Sequence, residues 1–292
     1  MIDLLSEKSV VGGGPANTAK ALARLGHAVE FIGGISTDTF GEMARRELME
    51  DGVGLRHVLI SAKPTSTAKV MIDKSGTASY LFMIDGTATF DFGDWLPDPY
   101  RFKPALLHIG TLATVISPGA ENLYRWAQNF SELAPIIFDP NIRPAVLSDH
   151  QKYLDIVEKW IGISAVVKLS DEDLLWLYPG QEPVETARRW IDCGVMLVII
   201  TKGERGIIAV NANEEISVEG VNVEVVDTVG AGDTVGAIIA EAVLERGLIN
   251  LRGDILREVL SNAVLAAGIT CSRVGANPPT RKELISALEL RV

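Results

Sequence analysis

The feature that most restricts the fold of this chain is the alternation of short apolar runs with amphipathic segments along most of its length. Apolar runs of this kind are typical of parallel strands that are buried on both faces. Five runs stand out, at 29–35, 106–110, 136–140, 165–169 and 197–201. Amphipathic segments lie between them, at Asn122–Phe130, His150–Trp160 and Val184–Cys193. The alternation predicts an α/β fold, with right-handed crossovers that place helices on both faces of a mostly parallel sheet.

Polar residues that directly follow the predicted strands are candidates for a binding site. Ligands of open α/β sheets lie beyond the carboxyl ends of the strands. Three groups of residues meet this condition: Asp139, Asn141 and Arg143 after one strand, Ser170–Asp173 after another, and Thr201–Gly206 after a third.

Residues 67–85 do not follow the alternation. Two β-like runs flank a Lys-Ser-Gly turn at 74–76 and predict an antiparallel hairpin. One face would carry Ala68, Val70 and Ile72 on the first strand and Tyr80, Phe82 and Ile84 on the second. The pattern fits two interpretations equally well: a flap that excludes water from a phosphoryl transfer, or a structural edge hairpin or dimer contact.

Composition excludes several classes of protein. The formal net charge of −11 argues against a nucleic-acid partner, although local N–H groups and magnesium can still hold phosphates. No apolar run approaches the roughly 20 residues of a membrane span, and the first residues lack the pattern of a signal peptide. Cys193 and Cys271 form no disulfide framework or metal spacing. We therefore expect a cytoplasmic protein that binds neither membrane nor nucleic acid.

The segment Asp227–Asp233 is a small-residue loop with an acid at each end, and it leads directly into an apolar helix. Backbone N–H groups at a helix N-terminus, approached through glycines, form a ready anion site. Asp233 occupies the place where the anion would bind. A carboxylate there is suited to take a proton from a hydroxyl that attacks a bound phosphate. The alternative is a solvated N-cap.

Two motifs give the chain a resemblance to the ribokinase-like (PfkB) carbohydrate kinase family over nearly its whole length. Gly12–Gly26 with Gly33–Gly41 resembles the N-terminal signature of the family, and Asp227–Asp233 resembles its C-terminal signature. The segments 138–144, 168–174 and 272–280 are most similar to the bacterial fructokinase branch. The resemblance implies a three-layer α/β/α core with a mostly parallel central sheet and a small β-sheet lid. The whole chain, 1–292, would be one kinase domain with lid segments around 4–13 and 59–91.

The resemblance also assigns roles to single residues. Asp233 would be the catalytic base, and Gly230, Ala231 and Gly232 would form the anion hole. The expected sugar-binding residues are Asp3, Gly13, Gly14, Asn17 and Arg143; those expected to bind ATP are Lys168, Thr201, Gly203, Gly206 and Asn262. Asp173 is expected in the outer shell of Mg²⁺. Asp227 is expected either to position the loop or to help form a K⁺ site. Simpler roles stay open: a helix cap for Asn17, a surface ion pair for Arg143 and packing for Asn262.

Two features depart from the family pattern. Ser170 and Asp173 stand where the family usually has Asn and Glu. The N-terminal region is short, since family members have a full buried strand ahead of the equivalent of Asp3 and a longer loop before the glycines. Two residues precede Asp3 here, and nine separate it from Gly13. We therefore expect residues to be missing from this region, which weakens the assignment of Asp3.

Together these features predict an ATP-dependent sugar kinase that acts on small molecules. Fructose, converted to fructose 6-phosphate, is the favoured substrate. The nearest alternative is 2-keto-3-deoxygluconate, because Arg143 could equally bind a substrate carboxylate. An alternative of another class is a regulator that binds sugar or nucleotide without catalysis. We also expect that the kinase could form a homodimer through the lid.

Overall fold

The computed structural model describes residues 1–4, 9–72 and 78–290, so the turn predicted at 74–76 lies outside the described residues. Its strands are β1 (Ile2–Leu4), β2 (Ser9–Val11), β3 (Glu30–Ser36), β4 (Gly54–Ser61), β5 (Thr67–Ile72), β6 (Ala78–Met83), β7 (Leu107–Gly110), β8 (Ile136–Asp139), β9 (Val166–Ser170), β10 (Leu197–Thr201), β11 (Ile207–Val210) and β12 (Glu215–Val218).

The helices are α1 (Gly14–Arg24), α2 (Thr39–Glu50), α3 (Pro99–Phe102), α4 (Gly119–Ser131), α5 (His150–Ile161), α6 (Asp171–Leu177), α7 (Pro183–Asp192), α8 (Ala231–Arg246), α9 (Gly253–Cys271) and α10 (Arg281–Glu289). Among the described residues, no helix is both long enough and apolar enough to cross a membrane.

A six-stranded sheet, here called the large sheet, has the order β12-β11-β10-β9-β8-β7. Its strands β7 to β10 are parallel, while β11 and β12 join antiparallel at one edge. Four of the five predicted strands lie in this sheet. The fifth, β3, pairs in parallel with β4 in a separate two-stranded sheet. The predicted α/β class with a mostly parallel sheet is confirmed.

The two faces of the large sheet bury separate cores, because successive side chains of a strand point to opposite faces. Ile137 and Ile199 face α1, α8 and α9, which are rich in alanine and small apolar residues. Phe138 and Ile200 face α4 to α7 and pack with large aromatic side chains such as Trp160. The result is a layer of helices on each face, as the alternation of segments predicts.

The predicted hairpin forms part of a four-stranded sheet of order β2-β1-β5-β6, here called the small sheet. Strands β5 and β6 are antiparallel, with Ala68 opposite Phe82 and Val70 opposite Tyr80, so the predicted antiparallel pairing is confirmed. Ile84 lies beyond the end of β6. Strand β1 is parallel to β5 and antiparallel to β2. Asp3 therefore lies in the small sheet.

A groove separates the large sheet from the two-stranded sheet. Residues 28–32, around β3, and residues 105–109, around β7, line it, and its volume is about 340 Å³. Within the described part of the chain, β3 pairs only with β4 and β7 only with β8. The α/β layer is thus two sheets, held together by helix α1, which contacts both β3 and β7.

The strand β3 packs tightly against the short helical turn at 88–90, and this gives a prediction about stability. A Cβ on Gly34 would lie 1.8 Å from the carbonyl oxygen of Ala88, which is backbone and cannot move aside. We expect Gly34→Ala to lower the free energy of unfolding by about 1–3 kcal/mol, the usual cost of overpacking. Thermal or urea unfolding measures this.

Gly33→Ala is the matched control for this prediction. A Cβ on Gly33 would meet the ring of Phe31 at 2.9 Å, and that ring can rotate away. We therefore expect a smaller loss of stability than for Gly34→Ala. Equal losses for the two variants would contradict the proposed clash with Ala88.

Candidate active site

Residues Gly230–Gly232, here called the anion loop, are the N-cap and the first two residues of α8. Gly230 has φ 81°, a left-handed conformation that favours glycine. Asp227 holds the loop in place, because its carboxylate accepts from the N–H of Val229 at 3.0 Å and from the N–H of Gly275 at 2.9 Å. Among the described residues, the N–H groups of Gly230 and Gly232 have no protein acceptor, while that of Ala231 lies 3.3 Å from the oxygen of Thr228. Two donors of the loop are therefore free for an anion.

Asp233 lies in the first turn of α8 and is nearly buried, at 9% exposed. Its Oδ2 accepts a hydrogen bond of 2.8 Å from the side-chain amide of Asn17. Its Oδ1 points towards Gly14, where a Cβ would lie only 3.0 Å away. Burial raises the pKa of Asp233 to about 6, and the neighbouring Lys168 ammonium opposes the rise. A carboxylate with this pKa is largely ionised at pH 7 and still basic enough to accept a proton.

Two of the predicted sugar-binding residues, Gly14 and Asn17, lie against Asp233. Asn17 is 5% exposed, and its Oδ1 is buried without a partner among the described residues, so it can accept from a ligand hydroxyl. Gly12 lies so close to Asp3 that a Cβ there would clash with the carboxylate at 2.1 Å. Burial raises the pKa of Asp3, and the Met1 ammonium and Arg143 partly offset this.

Arg143 is half-buried beside this cluster. Its Nη1 donates to the carbonyl oxygens of Ile142 at 2.9 Å and Asn141 at 3.3 Å. Its charge acts on both Asp3 and Asp233. Among the described residues it makes no ion pair within 4 Å, so the surface salt bridge considered from the sequence is not observed.

A mostly apolar cavity of about 100 Å³ adjoins this cluster. Gly13 lines it together with Gly33, Gly34 and Thr111, whereas Asp3, Asn17 and Arg143 do not. Gly13, with φ 105°, also forms the start of α1. Thr111 and Asn141 are non-glycine residues with positive φ, at 52° and 41°, near the same point. Strain of this kind is concentrated at functional sites, and the sequence alone gives no sign of it.

A larger cavity, of about 950 Å³, opens on the other side of the anion loop. Thr201, Gly203 and Gly206 line it, as do Ala231 and Gly232. Gly206 has φ 93°, and a Cβ there would lie 2.1 Å from the oxygen of Val218, so this position requires glycine. The structure thus brings the Thr201–Gly206 loop and the anion loop to one cavity.

Two residues expected on the nucleotide side, Lys168 and Asn262, do not line the larger cavity. Asn262 does not line the larger cavity, although Val264, Ala267, Gly268 and Cys271 of the same helix do. At about 100° per residue, those four residues lie on the opposite face of α9 from Asn262. Lys168 is also absent from the cavity wall. It is buried behind Gly232 and bonds to Asp139 at 2.8 Å.

Asp173 caps the N-terminus of α6. One carboxylate oxygen accepts from the N–H of Ile142 at 2.9 Å and the other from the N–H of Ser170 at 3.0 Å. The Ser170 hydroxyl accepts in turn from the N–H of Asp173, which completes a capping box. Each carboxylate oxygen retains one lone pair. This arrangement fits a hydrogen bond to a metal-bound water, which is the outer-shell role expected for Asp173.

The histidines do not lie where a catalytic base is needed. His108 is buried on β7, and burial lowers its pKa to about 3, so it is neutral. His27 joins Glu241 and Glu245 in a group whose ligand atoms lie within 4.8 Å of one another. Arg281 already pairs with Glu241 at 2.5 Å there, which makes the group an ion network around a cation of the protein itself. The sequence spacing gave no sign of this contact between the segment after α1 and helix α8.

The fold and the site together define a class. On an α/β core, the buried carboxylate of Asp233 stands between a polar cluster bordered by glycines and a cavity lined by the backbone of the anion loop. This is the arrangement of a phosphotransferase that brings an alcohol to a nucleotide. The chain belongs to the pfkB family of carbohydrate kinases, whose pattern it matches over residues 6–283. It is therefore an ATP-dependent sugar kinase.

Relatives and solved structures agree with this assignment. A fructokinase from Rhizobium leguminosarum bv. trifolii is 33% identical over 246 residues, which cover 82% of this chain and 74% of the relative. A fructokinase from Xylella fastidiosa with bound ATP superposes with a TM-score of 0.92 at 23% identity, covering 100% of this chain and 96% of that one. A fructokinase from Vibrio cholerae O395, bound to fructose, ADP and calcium, has a TM-score of 0.84 at 26% identity and covers 99% and 95%. The ribokinase-like fold is confirmed.

Proposed function

We propose that this kinase transfers the γ-phosphate of ATP to D-fructose and forms fructose 6-phosphate. The observation that carries the proposal is the position of Asp233, whose carboxylate is fixed by Asn17 on one side and adjoins the anion loop on the other. The names of the relatives support fructose as the sugar, since the 33% identical protein from Rhizobium leguminosarum is a fructokinase.

Asp233 would accept the proton of the sugar hydroxyl as the hydroxyl oxygen attacks the γ-phosphorus. The bond from phosphorus to the β–γ bridging oxygen breaks, and ADP leaves. The free N–H groups of Gly230 and Gly232 would bind the equatorial oxygens, where charge accumulates in the transition state. A positioned base of this kind contributes about 10²–10⁴-fold to the rate.

The sugar would be held by groups whose hydrogen-bonding capacity is unused. The unpartnered Oδ1 of Asn17 can accept from one hydroxyl, and the carboxylate of Asp3 can accept from another. Gly13 and Gly14 would let the sugar approach the backbone at the start of α1. Thr201, Gly203 and Gly206 would contact the phosphates and ribose of ATP in the larger cavity.

Mg²⁺ is proposed to accompany ATP, held by phosphate oxygens and by water bonded to Asp173. When bound, it neutralises charge on the phosphates. Asp173 fits this indirect role, because both of its oxygens already accept from backbone N–H groups. The carboxylate of Asp227 is proposed to stabilise the anion loop. Where K⁺ is present, the same carboxylate is proposed to face the ion. The fructokinase structure from Vibrio cholerae holds calcium together with fructose and ADP, and this supports a divalent ion as a partner of the nucleotide.

We propose that the small sheet acts as a lid on the kinase domain. It carries Asp3 on β1, so the sheet itself brings one sugar-binding group to the site. Closure would exclude water from the phosphoryl group and so favour transfer to the sugar over hydrolysis.

A second candidate substrate is 2-keto-3-deoxygluconate, and Arg143 is the observation that favours it. The guanidinium is half-buried, has no ion-pair partner among the described residues and lies within electrostatic reach of Asp3 and Asp233. A guanidinium in this state is suited to bind a substrate carboxylate.

The experiment that tests the function compares kcat/KM for fructose, ketodeoxygluconate, ribose and glucose in a coupled assay of ADP formation. We expect fructose to give the highest value, by about tenfold or more, because unpaired buried polar groups penalise the wrong sugar. If the kinase prefers ketodeoxygluconate and Arg143→Gln abolishes that preference, the proposed substrate becomes ketodeoxygluconate and not fructose. Absence of turnover with every sugar, despite ATP binding, would favour the non-catalytic regulator.

A further inference from the structure

The ion pair Lys168–Asp139 lies behind the anion loop, and no part of the proposed mechanism uses it. Asp139 ends β8, and Lys168 stands beside it on β9, one residue beyond the registered pair Phe138–Val167. Neighbouring residues of parallel strands point to the same face. Both side chains therefore point towards α8.

The pair is deeply buried and its hydrogen bonds are incomplete. Lys168 is 5% exposed and Asp139 is 4% exposed, and the Lys168 ammonium donates to Oδ2 of Asp139 at 2.8 Å. The second oxygen of Asp139 has no partner among the described residues. Among the described residues, the bond to Asp139 is the only hydrogen bond of the Lys168 ammonium, although an ammonium has three donors. A buried ion pair with unused capacity costs solvation energy, so its presence beside a catalytic site calls for a role.

The position of the ammonium indicates that role. A Cβ on Gly232 would lie 3.0 Å from Nζ of Lys168, so the charge lies close to the backbone of the anion loop. Gly232 directly precedes Asp233. The nearby charged side chains are Asp139 on β8, Asp173 on α6, Asp233 on α8 and Arg143 after β8. His108 on β7 is also near and is neutral.

We propose that Lys168 is a positioning residue that keeps Asp233 ionised for catalysis. Asp139 holds the Lys168 ammonium against the anion loop and weakens the effect of its charge on Asp233. This inference rests on the proposed function only in taking Asp233 as the base. Lys168 favours the ionised form of Asp233 and Asp139 disfavours it. The opposing signs make the pair a means of setting the basicity of Asp233.

The opposing signs also give a sharp test. Lys168→Met should raise the pKa of Asp233 by about one unit or more, and Asp139→Asn should lower it. A shift of one unit is a tenfold change in the ionisation equilibrium. The measurement is the ¹³C carboxyl titration of Asp233 in the sugar-free and nucleotide-free protein, assigned with Asp233→Asn. The acidic limb of kcat/KM against pH, at saturating ATP, should move in the same directions.

Lys152→Met is the matched control, since this lysine is exposed on α5; it should leave the Asp233 titration unchanged. A residue that only fills space would lower turnover without moving the titration, and this result would overturn the inference. If Lys168→Met does not fold, the comparison moves to Asp139→Asn with and without Lys168→Met. A pKa that is higher in the double variant supports the inference, and equal values refute it.

The titration also separates this inference from the proposed function. If Lys168→Met shifts the pKa of Asp233 but the protein does not phosphorylate fructose, the role of Lys168 is retained and the assignment of fructose as substrate is wrong. An unshifted pKa in an active fructokinase removes the role of Lys168 alone.

Discussion

Asp233→Asn is expected to lower kcat by about 10²–10⁴-fold while leaving ATP affinity within a few-fold of the original. The amide has the shape of the carboxylate and can still accept from Asn17, but it cannot take a proton from the sugar. ATP affinity should persist because the larger cavity is walled mainly by other residues. A coupled assay gives kcat, and calorimetric titration of ATP gives the affinity. Near-normal turnover would rule out Asp233 as the base.

The same variant should be more stable than the parent at neutral pH. Burial raises the pKa of Asp233 from 3.8 to about 6, so folding favours the protonated form. Stability linked to this group is therefore fully present below about pH 4 and decreases as the pH rises towards 6. The cost at pH 7 is at most about 3 kcal/mol, at 1.36 kcal/mol per unit.

Asp233→Asn should thus raise the melting temperature at pH 7 and have little effect at pH 4. Asp155→Asn makes the same chemical change on the exposed surface of α5. It should alter neither turnover nor the pH dependence of stability. A melting temperature for Asp233→Asn that falls equally at both pH values would contradict the buried, raised-pKa carboxylate.

The sequence predicted the fold well where local pattern and tertiary environment agree. Strands such as β10 are apolar throughout because both faces are buried, and the pattern located them within a residue or two. It did not predict that β3 would leave the large sheet, because pairing partners depend on contacts between distant segments. The turn of the small sheet was predicted from Lys-Ser-Gly and lies outside the described residues.

At the site, the sequence identified residues whose chemistry is local to a motif. The Gly-Ala-Gly loop and Asp233 are such a case, because a helix start and its glycines are adjacent in the chain. Asn262 was expected on the nucleotide side or in packing, and it does not line the larger cavity; an apolar helix without a clear polar stripe gives no orientation. The Lys168–Asp139 pair joins two strands, and its contact with Gly232 depends on the packing of α8. A pattern within one segment of the sequence could not predict this contact.

Asn17→Asp is expected to lower kcat/KM at pH 7 by about 10–100-fold, and the physical reason is repulsion between two carboxylates. Asn17 Nδ2 lies 2.8 Å from Oδ2 of Asp233, in a site where Asn17 is 5% exposed. Two carboxylates at this distance cannot both ionise, so they share one proton, and the second ionisation moves up by several pH units. Asp233 would then be protonated at neutral pH. We expect the acidic limb of the pH profile to move above pH 7, with partial recovery near pH 9.

Asn17→Leu separates the two contacts that this side chain can make. Only Asn17→Leu loses the side-chain oxygen that would accept from a sugar hydroxyl, so this variant should give the larger rise in KM for fructose. Only Asn17→Asp places a second charge beside Asp233, so only this variant should move the pH profile strongly. Identical pH profiles for the two variants would mean that the bond from Asn17 to Asp233 does not govern the base, and that Asn17 acts through the sugar alone. A strong shift of the pH profile in Asn17→Asp alone, together with a raised KM for fructose in Asn17→Leu, would support both roles for this side chain.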